Sequence, residues 1–230
     1  MTREARAVLP TTRPRTPQNE VFGLAHKNHL GGNAALGTKL QRPVDWDVDF
    51  LLKSGRALIW PIYKSTYERR DGSVLYGPQG SMRDHMIMFS KDLSRTLDYL
   101  EARPDIDSTR LAYLGISFGG WRGPIFLAVD KRFKAGILAA GGLLHWHFLP
   151  EADPLNFAPR VTTPVLMLNG RYDDTFPLES SQLPLFHALA TPDKDTHVIF
   201  ETTHDNYPPR EWIRENLDWL DKYLGPVRRN

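Results

Sequence analysis

A serine between two glycines is the clearest candidate for chemistry in this sequence. Residues 115–119 read GISFG, the pattern G-x-S-x-G; an apolar run at 111–116 precedes it and a helix-like segment at 120–129 follows. Glycines on both sides of the serine permit a tight strand-to-helix turn that exposes the hydroxyl. The pattern predicts that Ser117 is a nucleophile and that the backbone amide of Phe118 donates to a developing oxyanion.

A serine hydroxyl is a weak nucleophile at neutral pH, so it needs a general base, and histidine is the usual one. Of the eight histidines, His204 follows an apolar run at 197–201 and stands just ahead of the last amphipathic segment. Two acids, Asp173 and Asp174, follow another apolar run at 165–168. Taken singly, an aspartate here could cap a turn and the histidine could be an ordinary loop residue. Together they predict a Ser-His-Asp triad.

The elements that must position these residues alternate along the chain. Short apolar runs rich in β-branched residues are separated by segments of helical period, which is typical of parallel strands joined by helical crossovers. We therefore predict an α/β protein with a mostly parallel sheet flanked by helices. The predicted strands lie near 57–63, 111–116, 135–140, 165–168 and 197–201, and the clearest predicted helices near 82–101 and 211–224.

The length of 230 residues with 41% hydrophobic content predicts a single domain. We place that domain at residues 43–230. Residues 1–42 contain three prolines between positions 10 and 17 and then a stretch rich in Gly, Asn and Lys, with no convincing strand. This segment is predicted to be irregular or poorly ordered.

Composition excludes several classes of partner and chemistry. Lys and Arg number 29 against 27 Asp and Glu, so no nucleic-acid partner is expected, and no apolar run is long enough for a membrane span or a signal peptide. A cytoplasmic location follows as the default expectation. Without cysteine there is no disulfide, thiolate metal site or cysteine nucleophile. His145 and His147 could form a metal pair, but with no suitably spaced third ligand a pocket wall is the favoured interpretation. No metal and no organic cofactor is predicted.

Three segments resemble the α/β-hydrolase superfamily, on the side of the dienelactone hydrolases and prolyl oligopeptidases. They are LAYLGISFGG at 111–120, PVLMLNGRYD continuing to the proline at 164–177, and the His204 loop with the helix-like segment behind it. The resemblance implies the α/β-hydrolase fold. It also selects Asp173 over Asp174, because Asp173 matches the first aspartate of the family pattern G-x-x-D-x-x-[VF]-P.

A further segment, residues 49–70, resembles bacterial hydrolase domains of which some are attached to serine/threonine kinase domains. The chain departs from the family before this segment. Family members have additional early strands, and a loop after one of them supplies the second oxyanion amide. Here residues 11–42 show only His29-Leu30-Gly31-Gly32, which is faintly similar to such a loop. The chain is thus expected to be an N-terminally short or altered member, with slow turnover and an uncovered sheet edge that favours a homo-oligomer.

The predicted function is hydrolysis of a small-molecule carboxylic ester by Ser117, His204 and Asp173 through an acyl-enzyme. One alternative is a serine peptidase similar to prolyl oligopeptidase, which shares the triad but normally carries a gating domain for which this length leaves no room. Another alternative is a catalytically impaired hydrolase-like domain, which the missing early strands would favour.

Overall fold

The computed structural model of the chain describes residues 5–8, 22–24, 27–28, 48–69, 71, 79–146, 148–193, 196–204 and 206–227. Its strands are β1 (Ala5–Val8), β2 (Phe22–Leu24), β3 (Lys27–Asn28), β4 (Leu58–Pro61), β5 (Leu111–Ser117), β6 (Phe133–Ala139), β7 (Val165–Gly170) and β8 (His197–Phe200). Its helices are α1 (Asp49–Lys53), α2 (Gln79–Glu101), α3 (Phe118–Val129), α4 (Leu183–Ala188) and α5 (Pro209–Leu224). None of the described helices is long and apolar enough to cross a membrane.

All of the strands join one sheet with the order β1-β4-β2-β5-β6-β7-β8, and β3 continues beside β5. Among the strands that the structure describes, the β1–β4 pairing alone is antiparallel and the other pairings are parallel. The carboxyl ends of the parallel strands therefore lie along one edge of the sheet. The five strands and two helices predicted from apolar patterning are present, and the α/β fold class is confirmed.

The sheet separates two cores because successive side chains of a strand point to opposite faces. Along β5, Leu111 and Tyr113 belong to the core that α2, α3 and α4 cover. Ala112, Leu114 and Ile116 belong to the opposite core, which α1 and α5 cover. The result is a sheet between two helical layers, with β5 and β7 buried on both faces.

Three short strands lie within the N-terminal segment, and they correct the expectation that residues 1–42 contain no convincing strand. β1 pairs with β4, β2 lies between β4 and β5, and β3 pairs with the end of β5. Strands of two to four residues are too short to show an alternating apolar pattern, so tertiary pairing alone reveals them. The rest of that segment, including 29–32, lies outside the described residues. The domain boundary near residue 43 stays a prediction.

Candidate active site

Ser117 occupies a strained turn between β5 and α3. It is the last residue of the strand, its backbone has φ 56° and ψ −113°, and α3 begins at the next residue. A non-glycine residue at positive φ costs of the order of 1–3 kcal/mol and persists only where its surroundings enforce it. The turn places the Ser117 hydroxyl at the carboxyl edge of the sheet.

Close backbone contacts enforce this turn. A Cβ atom on Gly115 would lie 2.3 Å from the carbonyl oxygen of Gly119, and one on Gly120 would lie 2.6 Å from the carbonyl oxygen of Ala139. The hydroxyl of Tyr113 donates a hydrogen bond to the Gly119 carbonyl at 2.8 Å. Burial raises the pKa of Tyr113 to about 12, so this donor keeps its proton. The elbow is therefore held chiefly by steric fit.

The other two predicted residues meet Ser117 at this edge. His204 Nε2 lies 2.8 Å from Ser117 Oγ, and His204 Nδ1 lies 2.8 Å from Asp173 Oδ2. The histidine follows β8 and the aspartate follows β7, so the parallel sheet brings the two loops together. The imidazole lies between the hydroxyl and the carboxylate, as a proton-transfer chain requires.

Asp173 is fixed by its own turn. Its Oδ1 accepts hydrogen bonds from the backbone amides of Thr175 and Phe176, both at 2.9 Å. Its side chain has no exposed surface, whereas the neighbouring Asp174 is exposed. The second carboxylate oxygen, Oδ2, does not bond to these amides and faces His204.

The imidazole of His204 is oriented from two sides. An ionised carboxylate can only accept, so Nδ1 of the neutral ring donates to Asp173 and Nε2 is left to accept from the Ser117 hydroxyl. The ring of Phe176 is stacked on the imidazole with centroids 5.8 Å apart. This is the tautomer that can remove a proton from the serine.

The first predicted oxyanion donor, the amide of Phe118, lies at the start of α3, directly after Ser117. Phe118 is the first residue of that helix, where amide groups lack acceptors within the helix. On the other side, Asn28 at the end of β3 is the register partner of Ser117. The chain that follows Asn28, including His29-Leu30-Gly31-Gly32, lies outside the described residues, so the second donor stays a prediction. Sequence patterns missed that β3 places Asn28 beside the nucleophile.

Two polar side chains near the site were also not predicted. Gln182 is fully buried beneath the Asp173 turn. Arg122, one turn into α3, is fully buried with its guanidinium carbon 4.6 to 5.3 Å from the ring centroids of Tyr63, Phe89, Phe118 and Phe126. Its three guanidinium nitrogens have no hydrogen-bond partner in the described part of the chain.

The remaining histidine pair shows no metal site in the described residues. His145 is exposed and its Nε2 lies 3.3 Å from Ser180 Oγ, while His147 lies outside the described residues. No group of three His, Asp or Glu side chains that could hold a metal ion occurs among the described residues.

Comparison with known proteins bears on the fold. No family model matches the chain. An uncharacterized peptidase of Bacillus subtilis, YuxL, is 27% identical in an alignment of length 154 that covers 53% of this chain and only 23% of that peptidase. This chain thus spans less than a quarter of that relative.

Solved structures align over nearly the whole chain. A cold-adapted esterase from an Arctic intertidal metagenomic library is 22% identical, with a TM-score of 0.69, and the alignment covers 96% of this chain and 88% of the esterase. A puromycin-hydrolyzing peptidase of Mycobacterium tuberculosis is 21% identical, with a TM-score of 0.72, covering 98% of this chain and 38% of the peptidase. With the sheet order and the strand-to-helix turn at Ser117, these similarities identify the chain as having the α/β-hydrolase fold.

Proposed function

We propose that this chain is a serine hydrolase that cleaves carboxylic esters through an acyl-enzyme. The observation that carries the proposal is the continuous hydrogen-bonded path from Ser117 Oγ through the His204 ring to Asp173, with 2.8 Å at both steps. The esterase alignment supports an ester substrate, because it extends over most of both chains.

In the first half-reaction, Ser117 Oγ attacks the ester carbonyl carbon while His204 Nε2 takes the hydroxyl proton. The carbonyl oxygen becomes an oxyanion and the imidazole becomes an imidazolium beside the Asp173 carboxylate. When the tetrahedral intermediate collapses, the bond to the leaving alkoxide breaks and His204 returns the proton to that oxygen. The products are the alcohol and an ester of Ser117.

In the second half-reaction, water replaces the serine as nucleophile. His204 Nε2 takes a proton from the water as its oxygen bonds to the acyl carbon, and it then protonates the departing Ser117 oxygen. The carboxylic acid leaves and the enzyme is restored. Asp173 keeps one tautomer of His204 in both halves, because its Oδ2 can only accept the proton on Nδ1.

Stabilisation of the oxyanion is assigned to the amide of Phe118 and to a second donor in the segment after Asn28. The register of β3 supports the second assignment, because it places Asn28, the residue before that segment, opposite Ser117. A single missing donor costs about 10²- to 10³-fold in turnover. Replacing Gly31 and Gly32 together by proline, which removes two backbone donors, tests whether that segment takes part.

Labelling with a fluorophosphonate probe tests the nucleophile directly, since the probe reports an activated serine whatever the natural substrate. We expect one label per chain at Ser117 and hydrolysis of p-nitrophenyl esters. Ser117→Ala is expected to abolish both. Ser90→Ala is the matched control, because among the described residues Ser90 donates to the Met86 carbonyl of its own helix and to no other group. Absence of labelling in the intact chain would leave the impaired hydrolase-like domain as the better interpretation.

A peptidase is the second candidate, and the names of two similar proteins favour it: the uncharacterized peptidase YuxL and the puromycin-hydrolyzing peptidase. The same triad can cleave an amide if His204 protonates the leaving amine. The ratio of kcat/KM for a p-nitrophenyl ester to that for an aminoacyl p-nitroanilide separates the two. A ratio below 1 would favour the peptidase.

The remaining expectations about partners and location stay predictions. They are a homo-oligomer, a kinase domain attached in relatives and a cytoplasmic location. Sedimentation of the purified chain measures the first of them.

A further inference from the structure

The side chain of Gln182 connects the two ends of the turn that carries Asp173. Gly170 ends β7, Phe176 lies three residues beyond Asp173, and a π-helical turn, Leu178–Gln182, follows. The amide nitrogen of Gln182 donates hydrogen bonds to the Gly170 carbonyl at 2.8 Å and to the Phe176 carbonyl at 2.7 Å. Gln182 thus ties together the residue three before Asp173 and the residue three after it.

The chemistry of this contact leaves one orientation for the Gln182 amide. Both neighbours are carbonyl oxygens, which accept only, so the nitrogen with its two hydrogens must face them. The other end of the amide, Oε1, is buried without a hydrogen-bond partner in the described residues. A buried acceptor without a partner lowers the stability of the fold. The two hydrogen bonds of the Gln182 nitrogen are therefore made although Oε1 is left unsatisfied.

Phe176 transmits this contact to the catalytic groups. Its carbonyl accepts from Gln182, its amide donates to Asp173 Oδ1 at 2.9 Å, and its ring is stacked on the imidazole of His204. A shift of the Phe176 backbone therefore moves both the carboxylate and a neighbour of the base. The π-helical turn also fits this role, since such turns frequently occur at functional sites.

We propose that Gln182 is a positioning residue for the acid: it fixes the turn at 170–176 so that Asp173 Oδ2 stays within hydrogen-bond distance of His204 Nδ1. Its effect on turnover rests on the proposed hydrolase function. Its effect on the Asp173–His204 hydrogen bond does not, and can be measured in a chain without activity.

A purely structural role for Gln182 makes a different prediction from a positioning role. A residue that only supports the fold lowers stability by the same amount whether or not Asp173 is present. A residue that acts through Asp173 loses its effect on turnover once the carboxylate is gone, so the two substitutions are not additive.

The experiment compares Gln182→Met, which removes both donors while keeping the side chain long and unbranched, with Thr191→Val. Thr191 is the matched control because it is equally buried and its Oγ1 accepts from the amide of Val165, at the opposite end of β7. We expect kcat for a p-nitrophenyl ester to fall about 10- to 100-fold in Gln182→Met with KM within about threefold. Thr191→Val is expected to keep kcat within about threefold at a similar loss of melting temperature.

The double substitution Gln182→Met with Asp173→Asn is expected to turn over within about threefold of Asp173→Asn alone. A further 10-fold loss in the double variant would overturn the proposal. So would a Gln182→Met enzyme whose kcat is the same as that of Thr191→Val.

Proton NMR provides the readout that needs no activity. The Nδ1 proton of His204 is expected to give a slowly exchanging downfield signal in the native chain and in Thr191→Val, and none in Asp173→Asn. In Gln182→Met we expect this signal to broaden or vanish. Its survival unchanged would refute the positioning role, whereas an inactive native chain that shows the signal would count against the proposed function alone.

Discussion

The two sides of the candidate active site hold their catalytic groups by different means. On the nucleophile side, Ser117 is set mainly by close backbone packing around Gly115 and Gly120, with one hydrogen bond from Tyr113 to the Gly119 carbonyl. Arg122 packs among aromatic rings nearby, without a hydrogen bond in the described residues. On the acid side, Asp173 is set by hydrogen bonds from Thr175, Phe176 and, through Phe176, Gln182.

The difference matches what each group must do. The serine needs a backbone conformation that other residues avoid, and only rigid close packing can impose it. The aspartate needs a defined lone pair facing the imidazole, and directional hydrogen bonds supply that. We therefore expect the nucleophile side to be sensitive to added volume and the acid side to be sensitive to lost donors and charge.

The largest effect is expected from added volume at the elbow. In Gly115→Ala the new methyl group would lie 2.3 Å from the Gly119 carbonyl oxygen, a backbone atom that cannot move without changing the turn. We expect ester hydrolysis to fall to background, a loss of about 10⁶-fold like that of removing the nucleophile, and probe labelling to disappear. Gly80→Ala in α2 is the control, because its methyl meets only the end of the Arg83 side chain, at 3.4 Å. A Gly115→Ala enzyme with near-native turnover would contradict the steric account.

The next largest effect is expected from the charge of the acid. Asp173→Asn keeps the shape of the side chain but presents a group that can donate to Nδ1, which favours the wrong tautomer of His204. A loss of about 10⁴-fold in kcat is expected from this change. The adjacent exposed residue supplies the comparison: Asp174→Asn should remain within about twofold. Steady-state kinetics on both variants decides between them, and the reverse ranking would show that the acid is misassigned.

A smaller effect on turnover is expected at Arg122, where replacing the charge should preserve or raise the stability of the fold. A buried charge without hydrogen bonds costs desolvation that cation–π contacts offset only in part. Arg122→Met should therefore match or exceed the native melting temperature, by up to about 4 °C for each kcal/mol gained, and keep kcat within about 10-fold. Arg122→Lys should be less stable than either, because an ammonium is more strongly hydrated. Calorimetry that finds the Met variant several degrees below the native chain would show that the four ring contacts outweigh desolvation.

The smallest effect concerns pH and is expected at His197, the first residue of β8, at the opposite end of that strand from His204. Burial, together with the nearby His187, lowers the pKa of His197 to about 4 from an ordinary value of 6.5. Its Nε2 lies 3.1 Å from Asn169 Oδ1. Because the folded state disfavours the charged ring, stability is fully present above pH 6.5 and falls as pH drops toward 4. Between pH 7 and pH 4.5 the native chain should lose about 3 to 6 °C more in melting temperature than His197→Gln. His145→Gln, an exposed control, should behave like the native chain.

Local patterns predicted much of this molecule. Strands of six or seven residues such as β5 and β7 were evident because their apolar runs are uninterrupted. Ser117, Asp173 and His204 could be placed at one edge because each lies at or shortly after the carboxyl end of a predicted strand. The prediction used local apolar runs and the rule that the carboxyl ends of parallel strands lie along one edge of a sheet.

What could not be predicted depends on contacts between distant residues. β3 has two residues, and its identity as a strand comes entirely from pairing with β5, more than 80 positions later. The contribution of Gln182 depends on where Gly170 and Phe176 place their carbonyls. That of Arg122 depends on four rings, which come from α2, from α3 and from the chain just after β4. No propensity or spacing encodes these arrangements.

The positive φ of Ser117 has a consequence for how this sequence would evolve in the laboratory. Glycine would adopt that conformation without strain, so Ser117→Gly is expected to gain about 1 kcal/mol of folding stability while losing the nucleophile. A selection for soluble yield alone, with no demand for turnover, would therefore reward inactivation at this position. Libraries of this chain screened only for expression should be enriched in Ser117→Gly. The degree of enrichment measures the difference in folding stability between glycine and the native serine at this position.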